Sequence, residues 1–153
     1  MTRQSGAPAL AALALGVAIA GCGHLVILHD PLGAAEHNDL GVAYERQGDW
    51  EHAAREYRRA LQVDPRFARA RLNLGNIAAR RERWAEAEKL YRRALPSLRA
   101  DPDAWNNLAV ALLHRRLRLA EAETLAAHAV ALAGGDDSLY RATLSEVRAA
   151  RLK

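Results

Sequence analysis

The chain has 153 residues, of which half are hydrophobic and 26% are charged, with five prolines. This composition excludes a disordered chain, a collagen-like repeat and a polytopic membrane protein. A single cysteine excludes a disulfide scaffold and a zinc site built from several cysteines. The net charge of +4 comes from arginines that are interleaved with 18 acidic residues, so we interpret them as solvated helix faces and expect no nucleic-acid partner.

The N-terminal segment, residues 1–21, has the organisation of an export signal. A short polar start that carries Arg3 is followed by an uncharged apolar run at residues 7–20. The run ends in Ile19-Ala20-Gly21-Cys22, which resembles the bacterial lipobox, where an aliphatic residue and two small residues precede a cysteine. The resemblance implies that residues 1–21 are a signal peptide and that Cys22 is acylated and becomes the mature N-terminus.

An uncleaved membrane anchor is the alternative, because residues 7–28 have about the length of a membrane span. No Lys or Arg follows Arg3 until Arg46, so the positive-inside rule keeps the N-terminus in the cytoplasm and exports the rest. Both interpretations place a membrane-anchored domain in the bacterial cell envelope, facing the periplasm or the cell exterior. Gly23 stands where enteric lipoproteins of the inner membrane carry Asp, which slightly favours the outer membrane.

Residues 22–33 form the predicted tether between the lipidated cysteine and the folded domain. The tether is apolar at Leu25-Val26-Ile27-Leu28, whereas a tether of this kind is usually polar. We therefore expect it to lie on the bilayer surface or in an apolar groove of the domain, where it would block a ligand.

An internal repeat with a period of about 34 residues organises the rest of the chain. Its clearest recurrences are Tyr57-Arg58-Arg59-Ala60-Leu61 as Tyr91-Arg92-Arg93-Ala94-Leu95, Leu40-Gly41 as Leu74-Gly75 and then Leu108-Ala109, and Trp50 as Trp84. Apolar residues recur at helical spacing in each half of the unit, and small residues stand where two helices must approach closely. The pattern predicts successive pairs of amphipathic helices.

At this period the unit resembles the tetratricopeptide repeat (TPR), a helix–turn–helix unit. The resemblance implies an all-α fold, a short right-handed α-solenoid of three TPR units at 34–67, 68–101 and 102–135 with a capping helix at 136–153. The hallmarks of the first unit are Leu40, Gly41, Tyr44, Ala53, Tyr57, Ala60 and Pro65, with His37 in place of the expected large aromatic residue. The third unit has that aromatic residue as Trp105 and then slips by one residue, so that Ala122 and Ala129 take the later small positions.

Turn and cap residues predict the helix ends. Gln47-Gly48-Asp49 is a turn in which Asp49 caps the second helix. The pairs Asp30-Pro31, Asp64-Pro65 and Asp101-Pro102 each predict an N-cap acid before a proline at the first helical position. Pro96 is expected to kink or end the fourth helix, and Asp136 or Asp137 to cap a last helix that ends near Arg151.

The sequence contains none of the motifs that mark common catalytic sites. A nucleophile elbow, a phosphate-binding glycine loop, a CxxC pair and an HExxH helix are all absent. His24, His29 and His37 lack the i, i+4 spacing that a zinc-binding helix requires. We therefore predict that the protein is not an enzyme and has no catalytic residue, no metal and no cofactor.

The remaining candidate site is a binding surface. In TPR arrays the first helices of successive units line a concave groove that takes peptides or partner helices. The resemblance places this groove at Asn38, Val42, Arg69, Leu72, Asn76, Asn106 and Val110, with Glu45, Ala79 and Leu113 beside them. Asn side chains would bond a peptide backbone, Arg69 would meet an acid, and Val or Leu would hold an apolar side chain.

Asn73 and Asn107 also match part of the clamp by which some family members hold a chain-terminal carboxylate. Asn38 and Asp103 stand at the basic positions of that clamp, so the resemblance favours a general groove. The predicted function is a non-enzymatic TPR lipoprotein, an interaction adaptor or assembly factor that binds an envelope protein or peptide and joins the membrane through acylated Cys22. The alternatives are a single-pass anchored TPR scaffold and an accessory subunit of an envelope enzyme, and the oligomeric state is left open.

Overall fold

A computed structural model describes residues 30–153, which contain seven α-helices. They are α1 (Ala34–Arg46), α2 (Trp50–Val63), α3 (Ala68–Arg80), α4 (Trp84–Ala94), α5 (Pro102–His114), α6 (Leu119–Leu132) and α7 (Ser138–Arg151). Pairs form between α1 and α2, α3 and α4, and α5 and α6, and α7 packs on α6 and α5. The all-α class and the short solenoid are confirmed. The predicted signal peptide, Cys22 and most of the tether lie outside the described residues.

Small residues make up much of the core, which is why the helices can pack closely. Ala53 and Ala60 of α2 and Ala87 and Ala94 of α4 are completely buried. Larger side chains fill the space between pairs, among them Tyr57, Leu72, Ile77, Leu108, Leu112 and Val147. Each unit therefore buries one face of every helix against its neighbours.

Three of the predicted helix caps are present. The Asp49 carboxylate accepts a hydrogen bond from the His52 N–H (3.1 Å) at the start of α2. Asp101 caps α5, with Pro102 as its first residue, and Asp137 caps α7. Helix α4 ends at Ala94 and continues as a 3₁₀ turn, Leu95–Ser97, which agrees with the expectation for Pro96.

The cap prediction is wrong for the other two Asp-Pro pairs. Helix α1 begins at Ala34, three residues after Pro31. Helix α3 begins at Ala68, because Asp64 instead ends α2 and its carboxylate accepts a hydrogen bond from the Arg66 N–H (2.8 Å). That bond closes a turn through Pro65, so the proline lies between the helices and not at the start of one.

The third unit has a longer inter-helix turn than the first two, as the slip in the repeat predicted. Helix α6 begins at Leu119, one residue later in the repeat than Trp50 of α2 and Trp84 of α4. A buried acid of the second unit stabilises this turn, since Glu88 accepts hydrogen bonds from Arg115 and from Arg118 (2.7 Å). The third unit is therefore positioned partly by polar contacts from the second.

A stacking contact also recurs between units. The Arg80 guanidinium at the end of α3 lies 3.8 Å from the ring centroid of Trp50 at the start of α2. One repeat later, the His114 ring lies 3.8 Å from the Trp84 ring with an interplanar angle of 2°. The first residue of the second helix in one unit thus contacts the first helix of the next, and these ring contacts help to hold neighbouring units together.

Candidate partner-binding site

Polar side chains join the first helices of successive pairs. Asn73 Nδ2 donates to Asn38 Oδ1 (3.0 Å), which connects α3 to α1. Asn107 Nδ2 donates to Asn76 Oδ1 (3.0 Å), which connects α5 to α3. These bonds hold α1, α3 and α5 side by side, and we call the surface that these three helices share the groove face.

A pocket of about 370 Å³ opens on the groove face between α3 and α5. Ala79, Val110 and Trp84 supply apolar surface, and the remaining lining residues are Asn76, Arg80, Tyr91 and Asn107. The pocket is therefore apolar with a polar edge and one cation, which is the usual composition of a site that takes a single apolar side chain.

The amides at the edge of this pocket are only partly satisfied. Asn76 Oδ1 accepts hydrogen bonds from the Tyr91 hydroxyl and from Asn107 Nδ2, each 3.0 Å long. The Asn76 amino group and the Asn107 carbonyl oxygen make no hydrogen bond with any residue in 30–153. One donor and one acceptor therefore remain available on neighbouring helices, as a peptide backbone group requires.

The first unit has a different arrangement at the equivalent position, because Val42 stands where the second unit has Asn76. Here the Tyr57 hydroxyl neighbours the Glu45 carboxylate. Burial raises the pKa of Glu45, and the Tyr57 hydroxyl and the Arg80 charge partly offset this effect. The groove face therefore carries an acid at the first unit and apolar surface with an amide pair at the second and third.

Four of the predicted groove residues are at least partly exposed. Val42, Asn76 and Val110 are half-buried on the groove face. Arg69 is exposed, and its guanidinium lies 2.7 Å from the Asp101 carboxylate, so its charge is already paired. Of these four, the structure brings only Asn76 and Val110 together in the pocket between α3 and α5.

The other three predicted groove residues are buried, so the expectation that they face a ligand needs correction. Asn38, Leu72 and Asn106 are 6%, 2% and 4% exposed. They are separated by one repeat length each, and each therefore has the same place in its unit, where a first helix packs against its neighbours. Leu72 belongs to the apolar core, and Asn38 is occupied by its bond to Asn73.

The sequence interpretation missed three residues of the pocket, namely Arg80, Trp84 and Tyr91. The available signal was the recurrence of Trp50 as Trp84 and of Tyr57 as Tyr91, which indicates the repeat but does not by itself indicate a site. Tyr91 does pack in the core, yet its hydroxyl reaches Asn76 at the groove face. A single side chain therefore belongs to both the core and the candidate site.

Within residues 30–153, no group of three or more His, Cys, Asp or Glu side chains is placed to hold a metal ion. Among the helices of that same range, none is both long enough and apolar enough to cross a membrane. Cys22 lies outside the described residues, so its predicted acylation stays a prediction.

Comparison with known proteins identifies the class of this fold. The family model of the tetratricopeptide repeat matches residues 38–103. These residues hold most of the first two helical pairs, and the chain therefore contains a TPR domain. Among curated proteins, none matches this sequence.

Solved structures show the same fold. The first TPR of Spaghetti (RPAP3) bound to the HSP90 peptide SRMEEVD is 20% identical, with a TM-score of 0.72, and the match covers 78% of this chain and 94% of that one. The second TPR domain of human RPAP3 in complex with the HSP70 peptide SGPTIEEVD is 22% identical, with a TM-score of 0.67, and the match covers 75% of this chain and 94% of that one. The Sgt2 TPR domain from Aspergillus fumigatus is 15% identical, with a TM-score of 0.67, and the match covers 76% of this chain and 77% of that one.

Proposed function

We propose that this protein is a non-enzymatic TPR lipoprotein that binds a peptide or partner segment on its groove face and acts as an adaptor or assembly factor in the bacterial envelope. The observation that carries the proposal is the pocket between α3 and α5, where apolar surface adjoins an incompletely bonded amide pair. Two of the similar structures hold peptides, which supports the same use of this surface.

An extended segment fits this surface. Its backbone carbonyl would accept from the Asn76 amino group, and its backbone N–H would donate to the Asn107 carbonyl oxygen. An apolar side chain would then occupy the pocket formed by Ala79, Val110 and Trp84. Side chains of an extended peptide alternate in direction, so every second residue would face away from the array.

We propose an internal segment rather than a chain-terminal carboxylate as the ligand. Asp103 occupies a position at which a carboxylate clamp has a basic residue, and its carboxylate accepts a hydrogen bond from the Tyr140 hydroxyl (2.8 Å). Arg69, one turn of helix away from Leu72 on the same helix, is already paired with Asp101. A second carboxylate beside Asp103 would meet a negative charge, and the charge of Arg69 is already used by Asp101.

The envelope location rests on the sequence of residues 1–22, which supports export and acylation at Cys22. A Cys22→Ala variant tests it. We expect this variant to remain unprocessed and to incorporate no labelled fatty acid in cells. A variant that is still cleaved and stays bound to the membrane would contradict the lipoprotein assignment.

A matched pair of variants tests the groove face. Ala79→Arg fills the pocket with a long cation, whereas Ala85→Arg adds the same side chain to an exposed position of α4. Proteins crosslinked to the wild type and to both variants would be compared by mass spectrometry of intact envelopes. A partner lost only with Ala79→Arg supports the proposal, and a partner retained by that variant while the domain stays folded contradicts it.

A further inference from the structure

A second surface of the array is strongly basic. It consists of exposed side chains on the second helices of the first two units, namely Arg55, Arg58 and Arg59 of α2 and Lys89 and Arg93 of α4. Lys89 and Arg93 follow Arg55 and Arg59 by one repeat length, so the charges recur at the same places in both units. We call these five residues the basic outer face.

The acids that alternate with these cations in the sequence do not lie on the same surface. Glu56 and Glu88 are buried, at 5% and 3% exposed. Glu56 bonds the His37 ring (2.8 Å) and Arg59 (2.8 Å), and Glu88 bonds arginines of its own and the next unit. Folding therefore separates charges that are mixed along the chain, because the acids turn inward and the cations remain outside.

The two exposed acids of these helices lie at the opposite end. Glu51 and Glu86 are in the first turns of α2 and α4, and they pair with Arg81 and Arg83. Within residues 30–153, Arg58, Lys89 and Arg93 form no ion pair. The middle and the C-terminal half of both helices thus present cations without neighbouring exposed acids.

The helix dipole accounts for only some of the cations on the basic outer face. The helix dipole favours cations in the last turn, but Arg55 and Lys89 lie in the middle of their helices, beyond its reach. The pattern also ends abruptly, since the corresponding residues of α6 are Thr124, Ala127 and His128. The basic outer face is therefore a property of the first two units, which follow the predicted membrane anchor in the sequence.

We propose that the basic outer face binds the anionic phospholipid surface of the bilayer that holds the N-terminal anchor. The inference rests on the membrane attachment in the proposed function. The two helices of a pair are antiparallel, so the start of α1 lies beside the C-terminal half of α2, which carries Arg58 and Arg59. The described chain begins just before α1, and in the sequence the apolar run at 7–20 precedes it.

Distance and field strength are compatible with this contact. Residues 22–30 span at most about 30 Å when fully extended, so an acylated Cys22 holds the domain within that distance of the bilayer. The attraction of an anionic surface for Lys and Arg falls off over about 10 Å at 0.1 M salt, so the tether keeps the domain within a few screening lengths of the bilayer.

A lipid surface fits the basic outer face better than a nucleic acid does. The aromatic side chains of these two helices near the cations, Tyr57 and Tyr91, are buried, so none is available to stack on a base. In this orientation the second helices contact the bilayer, and the first helices, which form the groove face, are directed away from it. The partner-binding pocket would therefore stay open to the aqueous side.

The two lysines of the chain provide a direct test, because Lys89 lies in the basic outer face and Lys153 is the C-terminal residue. The full chain would be reconstituted with vesicles of pure phosphatidylcholine or with vesicles in which phosphatidylglycerol replaces about one third of the phosphatidylcholine. Acetylation rates of both lysines would be followed by mass spectrometry. We expect phosphatidylglycerol to lower the rate of Lys89 relative to Lys153 about fivefold, and a salt concentration of about 0.5 M to reverse the effect.

Charge-reversal variants with equal net charge make the test specific. Arg58→Glu with Arg93→Glu should abolish the protection of Lys89. Arg46→Glu with Arg141→Glu, two exposed arginines without ion pairs in the described chain, should leave it intact.

Three results would overturn the proposal: the same Lys89 rate on both vesicles, equal loss of protection in both double variants, or stronger protection by duplex DNA than by phosphatidylglycerol at the same salt. Flotation of the chain with pure phosphatidylcholine vesicles reports the anchor separately. A chain that fails to float with those vesicles contradicts the membrane attachment in the proposed function. Protection of Lys89 that depends on phosphatidylglycerol would still support the basic outer face.

Discussion

Gly41 lies directly against the ring of Tyr57, and a Cβ on this glycine would come within 2.4 Å of Tyr57 Cε1. The second unit repeats the contact, because a Cβ on Gly75 would come within 2.4 Å of Tyr91 Cε1. The missing side chain allows the two helices of each pair to approach while the tyrosine ring fills the space between pairs. The third unit has Ala109 at the glycine position and Ala126, four residues after buried Ala122, at the tyrosine position.

Gly75→Ala should therefore destabilise the domain by about 2 kcal/mol, because the added methyl group overlaps a buried ring. The expected readout is a lower urea midpoint with an unchanged m-value. In a double variant with Tyr91→Leu, the smaller side chain leaves room for the methyl group, so the combined loss should be less than the sum of the single losses. Strictly additive losses would contradict the steric explanation.

Periodicity made much of this fold predictable from the sequence. The recurrence of Leu-Gly and Tyr-Arg-Arg-Ala-Leu at one repeat length depends on packing that is the same in every unit, and it predicted the helical pairs. The offset of the third unit and the cap at Asp49 were also predictable, because each depends only on residues that are close together in the sequence.

The candidate site was less predictable, because exposure depends on the neighbouring unit. Asn38, Leu72 and Asn106 share one place in the repeat and were expected to face the groove, yet all three are buried where a first helix packs against its neighbours. Glu88 illustrates the same point, since its arginine partners Arg115 and Arg118 belong to the inter-helix turn of the next unit. A single sequence gives the residue types and their spacing, but not these contacts between units.

The second and third inter-helix turns each hold a residue other than glycine in the left-handed backbone region. Gly48 in the first turn has a φ of 77°, and at the same place in the next two units Glu82 has 57° and Arg116 has 49°. A residue with a Cβ is strained in this left-handed region, whereas glycine is not. Neither side chain forms a hydrogen bond or ion pair with residues 30–153 that a substitution would remove.

Glu82→Gly is therefore expected to stabilise the domain by about 0.5 kcal/mol, after the greater flexibility of glycine in the unfolded chain is taken into account. A rise in the melting temperature of about 2–4 °C would be the measurement. Arg81→Gly is the control, because Arg81 has a φ of −91° and gains nothing from glycine, and the loss of its ion pair with Glu51 adds to the expected destabilisation. If both substitutions lower the melting temperature, backbone strain at Glu82 does not limit the stability of the domain.

Asn106 is a buried amide whose Oδ1 has no hydrogen-bond partner among the described residues. The second unit has Leu72 at the same place, where it is part of the apolar core. Asn106→Leu should stabilise the domain by about 1 kcal/mol, because it removes the cost of burying an unpaired polar atom. Asn76→Leu is the matched substitution and should destabilise, since it breaks the bonds from Tyr91 and Asn107.

Urea unfolding and partner crosslinking of the two Asn→Leu variants together distinguish a structural role of Asn106 from a role in ligand binding. If Asn106 instead holds a ligand, Asn106→Leu would lose the crosslinked partner although the domain is more stable. We expect the reverse result, in which Asn106→Leu keeps the partner and Asn76→Leu loses it.

Glu88 should make the stability of the domain depend on pH. Burial alone raises the pKa of this carboxyl, but hydrogen bonds from Arg92 and Arg115 outweigh burial and hold the pKa below its usual value of 4.5. A carboxyl with a lowered pKa in the folded state stabilises the fold above the unfolded pKa, and this contribution is lost as the pH falls through the folded pKa. The stabilisation should therefore be complete at neutral pH and should decline below about pH 4.5.

Glu88→Gln removes this contribution and should lower the free energy of unfolding at pH 7 by about 2 kcal/mol, because the turn that holds Arg115 and Arg118 loses its carboxylate. The difference from the wild type should shrink as the pH is lowered from about 4.5 to about 3, which urea unfolding at several pH values measures. Glu86→Gln on the same helix is the control, since among residues 30–153 that exposed acid pairs only with Arg83, and the substitution should change stability little at any pH. A difference between wild type and Glu88→Gln that stays constant over this range would show that side-chain packing, and not the charge of Glu88, stabilises the turn.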